Sequence, residues 1–195
     1  MMKHIKWLLN VSVILLMTSS CYVVSAHNVP INEEPYRGLP YLATTTEVPP
    51  KNVDRLLINE VQQLISADDK PVLIDVYGAI FREEALDFDG AWQVTLPRQN
   101  IPNSIWLPNV GKETLIPIVE KYYRQQLLRL TQADKTKTII IYCNVDCWMA
   151  WNAAKRANEW GYTSVKWFRE GVDAWIEKGL KLQSAEPINL PVDEE

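Results

Sequence analysis

Histidine is nearly absent from this chain. His4 and His27 are the only copies, and both fall within the first 27 residues. The remaining sequence therefore offers no Cys–His dyad and no Ser–His triad. Two cysteines without histidine do not complete a tetrahedral zinc set, so no metal site is assigned. Cysteine is scarce as well: Cys21, Cys143 and Cys147 are the three. A basic excess is missing too, with 20 Lys and Arg against 24 Asp and Glu and a formal net charge of −4. An acidic chain of this kind is not built for nucleic acid or for an anionic membrane surface. The apolar stretch 7–17 is interrupted by Asn10 and Ser12. It falls short of the ~20 residues that a spanning helix needs, so no stable membrane span is expected. No internal repeat or low-complexity tract is visible.

What is present begins with an N-terminal leader. Lys3 and Lys6 form a basic start, residues 7–17 an apolar centre, and Val24-Ser25-Ala26 a small-residue cleavage site. Residues 1–26 are expected to be a signal peptide cut after Ala26, which places the mature protein in the periplasm. An uncleaved anchor and lipid attachment at Cys21 are the two alternatives. Cleavage would leave Cys143 and Cys147 as the only thiols, in an oxidising compartment. Residues 27–52 hold Pro30, Pro35, Pro40, Pro49 and Pro50 and read as an extended arm.

Helical periodicity starts near Val53, with Asn52 as its cap. Residues 71–77 read as a buried strand that carries Asp75 near its end. Residues 78–100 show no clean period and read as a long connection. A short strand over 104–107 follows, then a helix over 113–132, a central strand over 137–142 and a helix over 149–160. A strand over 165–168 and a helix over 171–178 close the series. This alternation predicts an α/β fold, a parallel sheet with helices on both faces. Ligands in such sheets bind beyond the carboxyl ends of the strands.

The most informative run lies at one of those ends. Ile139-Ile140-Ile141-Tyr142 is a β-type run that stops at Cys143; Asn144, Val145, Asp146, Cys147 and Trp148 follow before a helical pattern opens. A thiol facing a helix start sits where backbone N–H groups and the helix dipole favour its thiolate. Cys143 and Cys147 are the candidate catalytic residues. Asn144, Val145, Asp146, Trp148 and Asp75 are the candidate loop and pocket residues. A structural disulfide, redox chemistry and ligation of a soft ion such as Cu(I) all remain open for the pair. Trp148 and Trp151 read as core or pocket wall, with stacking on a flat ligand as the alternative. Lys155 and Arg156 read as a solvated helix face. No cofactor is assigned.

The ordered pieces together resemble the rhodanese-like domains. They are the strand ending at Asp75, the run Ile101-Pro102-Asn103-Ser104-Ile105-Trp106-Leu107-Pro108, strand-borne Cys143, and Phe168-Arg169-Glu170-Gly171-Val172-Asp173-Ala174-Trp175 before Gly179-Leu180. The resemblance covers residues 53–182 and leaves 183–195 as a C-terminal tail. Tyr142-Cys143, Asp146-Cys147-Trp148-Met149 and Trp151-Asn152-Ala153-Ala154 further resemble an exported family with a CxxCW-type motif that is associated with PQQ-dependent catabolism. Here the spacing is CxxxCW. The resemblance implies sulfur transfer or thiol–disulfide exchange, with a small-molecule or protein thiol or sulfur donor as partner. It also implies quinoprotein alcohol-oxidation components as neighbours. A non-catalytic module that binds a cofactor, a metal or a partner protein is the alternative. The loop departs from active rhodaneses in having neither Gly nor Arg, and Asp146 is expected to repel an anionic donor such as thiosulfate. Arg169-Glu170 is expected at the rim of the site, orienting a loop.

Overall fold

A computed structural model describes residues 34–85 and 91–190. The expected leader and the first residues of the arm lie outside the described residues. Five strands form one sheet. They are β1 (Asp54–Arg55), β2 (Val72–Asp75), β6 (Ile105–Trp106), β7 (Ile139–Tyr142) and β8 (Val165–Phe168), in spatial order β1-β8-β7-β2-β6. Every neighbouring pair is parallel. Central β7 carries Ile140 opposite Leu73 on one side and Lys166 on the other.

The alternation of side chains along β7 builds both layers. Ile139 and Ile141 join Val119, Tyr122 and Tyr123 of α2 (Pro117–Thr131) and Trp151 and Ala154 of α3 (Trp148–Glu159). Ile140 and Tyr142 join Val61 of α1 (Ile58–Ile65) and Val172 and Trp175 of α4 (Gly171–Glu177). The fold is thus the expected α/β sheet with helices on both faces. Cys143 lies on the α2/α3 side.

Several element boundaries differ from expectation, each for a physical reason. The chain does not enter a helix at Val53. Asn52 adopts a left-handed φ of 59°, Asp54 and Arg55 pair with β8, and the Leu56 N–H donates to the Trp167 carbonyl. The helix opens only at Ile58, where the Glu60 carboxylate accepts the Leu57 N–H at 2.7 Å. α2 starts at Pro117, not at residue 113. A proline in the first turn needs no N–H partner, but one turn deeper it would break the ladder. The connection 78–100 contains paired backbone. β3 (Ile80–Phe81) runs antiparallel to β4 (Trp92–Gln93). β5 (Arg98–Asn100) runs antiparallel to β9 (Gln183–Ala185), which brings part of the C-terminal segment back onto the domain.

Arg156 corrects the expectation of a solvated face. It is buried, and its guanidinium donates to the carbonyls of Val110, Lys112 and Glu113 at 3.0–3.1 Å. Burial pulls its pKa down from the usual arginine value. Lys155 beside it pairs with Glu159 one turn on. Among the described residues no helix is long and apolar enough to cross a membrane.

Candidate functional site

Strand β7 ends at Tyr142, and the next residue is already in the site. The Cys143 carbonyl accepts the Val172 N–H at 3.0 Å, so α4 is seated directly on the exit of the strand. Gly171 makes that approach feasible. Its φ is 53°, and a Cβ there would lie 1.9 Å from the Cys143 carbonyl oxygen. The Val145 N–H donates to Asp173 Oδ2 at 2.7 Å. Asp146 then takes a left-handed φ of 54°, which Asp tolerates better than most residues, and Cys147 leads into α3.

Cys143 and Cys147 are joined by a disulfide, with Cα atoms 6.1 Å apart. That separation lies within the usual range for such bonds. Neither residue is open to solvent: Cys143 is 0% exposed and Cys147 2%. The helix start that the sequence places opposite Cys143 falls at Cys147. Two N–H groups of the loop that an anion would want are engaged elsewhere, Val145 with Asp173 and Trp148 with the Tyr41 carbonyl at 2.8 Å.

Asp75, at the end of β2, lies fully buried beneath the loop. Its two oxygens accept from Arg98 Nε at 2.8 Å and Nη2 at 3.0 Å, and Oδ1 also takes the Tyr77 N–H at 3.0 Å. The third arm of the same guanidinium, Nη1, donates to Asn144 Oδ1 at 2.8 Å. Arg98 also lies over the Tyr77 ring, 4.3 Å from its centroid. Burial pushes the Asp75 carboxyl above the usual carboxylate range, and Arg98 opposes that push. Asp75, Arg98 and Asn144 therefore form one continuous polar chain from the sheet to the residue after Cys143. Close by, the Tyr142 hydroxyl donates to Ser104 Oγ at 2.6 Å, and burial holds that phenol well above its ordinary pKa.

Asp146 does not stand as a free negative charge. Its Oδ1 accepts from Arg169 Nη2 at 2.7 Å, from the Thr45 N–H at 3.1 Å and from Thr45 Oγ1 at 3.2 Å. Its carbonyl accepts the Ala43 N–H at 2.9 Å. The repulsion of an anionic donor expected from the sequence is therefore offset by a guanidinium that arrives from β8's exit. The segment that makes these contacts is the N-terminal arm. Leu42 bridges antiparallel to Cys147, the Trp151 indole donates to the Val48 carbonyl at 3.1 Å, and Arg169 Nε donates to the Thr46 carbonyl at 3.1 Å. Farther out, fully buried Asn152 exchanges two bonds with the Arg37 backbone, at 2.8 and 2.9 Å. Trp148 is half-buried, edge-on to buried Trp151, with the Arg37 guanidinium 4.9 Å from its centroid.

The structure thus brings Cys143, Cys147, Asn144, Asp146, Trp148 and Asp75 together around one loop. Val145 is there too, partly exposed at 39%. Arg169 stands at the rim as expected. Arg98 was not foreseen, because it lies in the stretch without a period. A signal for it does exist: a carboxylate at the end of an apolar strand calls for a cation from somewhere. Asp173 and the arm residues 41–48 were also unforeseen as loop partners. Among the described residues no group of three or more His, Cys, Asp or Glu is arranged around a common metal position.

The family model of the rhodanese-like domain matches residues 57–178. No curated protein matches the chain. Among solved structures, the polysulfide-sulfur transferase homodimer of Wolinella succinogenes is 19% identical, with a TM-score of 0.42, covering 68% of this chain and 79% of that one. The thiosulfate sulfurtransferase of Pseudomonas aeruginosa is 18% identical, with a TM-score of 0.47, covering 73% of this chain and 22% of that one. Wild-type EanB is 16% identical, with a TM-score of 0.45, covering 68% and 32%. This chain therefore spans about a fifth to a third of the latter two proteins. By the match over residues 57–178, the chain belongs to the rhodanese-like domain family.

Proposed function

We propose that this protein is an exported rhodanese-like dithiol protein that cycles between a closed Cys143–Cys147 disulfide and an open thiol pair. One observation carries the reading: the strand-end cysteine of the fold has a second sulfur in bonding reach, 6.1 Å away between Cα atoms. A lone strand-end cysteine that accepts a sulfane sulfur must pass it to an external acceptor. A pair has another route. The Cys143 thiolate takes a sulfane sulfur from a donor and becomes a persulfide, and the donor leaves with its electron pair. The Cys147 thiolate then attacks Cys143 Sγ and forms the disulfide, and the outer sulfur departs as hydrosulfide. The pair has lost two electrons and the sulfur has gained them. Two external thiols close the cycle. The thiolate of the first attacks Cys147 Sγ and releases Cys143 as thiolate; the second attacks the mixed disulfide and leaves as an oxidised dimer.

Export rests on the leader pattern of residues 1–26, and the link to PQQ-dependent alcohol oxidation rests on the CxxxCW resemblance alone. A second reading is a non-catalytic accessory module of the same system. The burial of both sulfurs and the engagement of the loop N–H groups favour it.

Adduct mass in the two serine variants tests the proposal. After reduction and exposure to a sulfane-sulfur donor or a small disulfide, Cys147→Ser should hold a persulfide or mixed disulfide on Cys143. Cys143→Ser should hold none. Both variants should fold, since a bond closing so short a loop contributes about 2 kcal/mol or less through chain entropy. The same spectra on protein from its native compartment should show a chain starting at His27. Adducts only on Cys147, or in neither variant, would move the weight to the accessory reading.

A further inference from the structure

The arm that crosses the cysteine loop makes an unusual set of contacts for a surface segment. Its backbone runs antiparallel beside Cys147 and exchanges bonds on both sides of it, Ala43 N–H to the Asp146 carbonyl and Trp148 N–H to the Tyr41 carbonyl. Its side chains and carbonyls are held by Asp146, Trp151 and Arg169. Glu47, itself largely exposed, reaches both Arg55 and Arg169. Nearly all of these anchors lie on the disulfide loop or on residues that touch it. Yet Leu39, Leu42 and Val48 on the same segment are more than half exposed. Tyr41 packs against the core and Thr45 is buried, but the rest of the segment is held mainly by polar bonds along a track. Each polar bond of this kind adds only about 1 kcal/mol net, so such a segment opens locally at far lower cost than the core.

We propose that residues 36–48 are a strap that gates the cysteine pair, closed over the disulfide as seen and displaced when a reductant or exchange partner reaches Cys147. The hub is Asp146. Its left-handed backbone, its carbonyl and its carboxylate all face the strap or Arg169, so the strap and the loop conformation hold each other. The gate rests on the proposed exchange function for its purpose, but its physical action does not depend on that function.

The test is the rate at which a water-soluble phosphine reduces the disulfide in the native protein. The phosphine attacks one sulfur, the S–S bond breaks, and water completes the step to phosphine oxide and two thiols. Ala43→Pro removes the N–H that binds Asp146. Thr45→Val removes the hydroxyl bond with little change of shape, and Glu47→Gln removes the ion pairs. Each should speed reduction about fivefold, and Thr45→Val with Glu47→Gln together about twentyfold. Ile140→Val, in the core away from the strap, should lower thermal stability without speeding reduction. The Trp148 amide should exchange hydrogen faster in all the strap variants than in the parent, and the Ala43 amide should do so in Thr45→Val and Glu47→Gln.

Equal reduction rates in parent and strap variants would overturn the gate. So would acceleration by Ile140→Val as large as that by Thr45→Val, because access would then require global unfolding. If Ala43→Pro does not fold, the other two variants decide. A rate increase without any adduct in Cys147→Ser leaves the gate standing and defeats the exchange reading; adducts with unchanged rates do the reverse.

Discussion

Replacing Arg98 with methionine should expose how the buried carboxylate beneath the loop is maintained. Asp75 has no access to solvent, and the three hydrogen bonds to its carboxylate come from Arg98, twice, and from Tyr77, the residue that Arg98 stacks upon. Methionine keeps most of the stem and removes every donor. The carboxylate would retain the Tyr77 N–H alone, and Asn144 would lose its anchor. Removing one partner of a buried ion pair costs about 3–5 kcal/mol. For a domain of this size each kcal/mol moves the melting temperature by about 2–4 °C, so a drop of roughly 6–20 °C is expected. The loss should depend on pH with a definite sign. Burial already lifts the Asp75 carboxyl above its ordinary value, and without Arg98 it must rise further. Between the unfolded value of about 3.9 and the raised folded value, the native state binds the extra proton, so stability falls as pH rises. The deficit should be small near pH 5 and full near pH 8. Adding Asp75→Asn should recover part of it at pH 8. Thermal or urea unfolding of the parent, the single and the double variants at both pH values measures this. A deficit below about 1 kcal/mol, or one equal at pH 5 and pH 8, would refute a buried ion pair as the support of this loop.

Two further substitutions probe the loop from its other sides. Gly171→Ala puts a methyl group on the Cys143 carbonyl at a positive φ, so α4 must shift; a loss of more than about 2 kcal/mol in chemical unfolding is expected, and a neutral result would contradict the close contact. Asp146→Arg, which removes the charge expected from the sequence to repel thiosulfate, should set two guanidiniums against each other at Arg169 and detach Thr45. It should speed phosphine reduction of the disulfide more than Thr45→Val does, and a slower or unchanged rate would show that Asp146 does not hold the strap.

The alternating order of helix and strand was legible because central β7 and most of β2 are buried and read as continuous apolar runs, and Val165, Trp167 and Phe168 mark β8 despite Lys166. The short strands were not. Ile80–Phe81, Trp92–Gln93 and Arg98–Asn100 are two or three residues long, too short for any period to emerge, and they exist because partners elsewhere in the chain pair with them. Val53 and Leu56 carried a helical spacing, yet edge pairing with β8 overrode it. At the site, Cys143 and Cys147 were legible from local pattern: a strand stops and a helix begins. The electrostatics were not, since the charges around the loop come from Arg98, Arg169 and Asp173, all distant in sequence from Asp146 or drawn in by tertiary packing. Judging the loop by its own composition made it look acidic. Its neighbours in space pair that acid with Arg169.

The pairing of β5 with β9 carries a consequence for where this domain ends. Arg98 is the first residue of β5, and its register partner is Ala185. The family match stops at residue 178, before β9, and starts at residue 57, after the segment that runs beside Cys147. Two supports of the cysteine loop are thus supplied by chain outside the shared core: one runs beside Cys147, and the other pairs with the strand that carries the arginine bound to Asp75. A fragment cut to the shared core would lose edge strand β1 but keep the other four strands of the sheet, the helices and both cysteines. It would nonetheless present a different chemical environment at the disulfide, because part of the site is built from chain outside the matched residues.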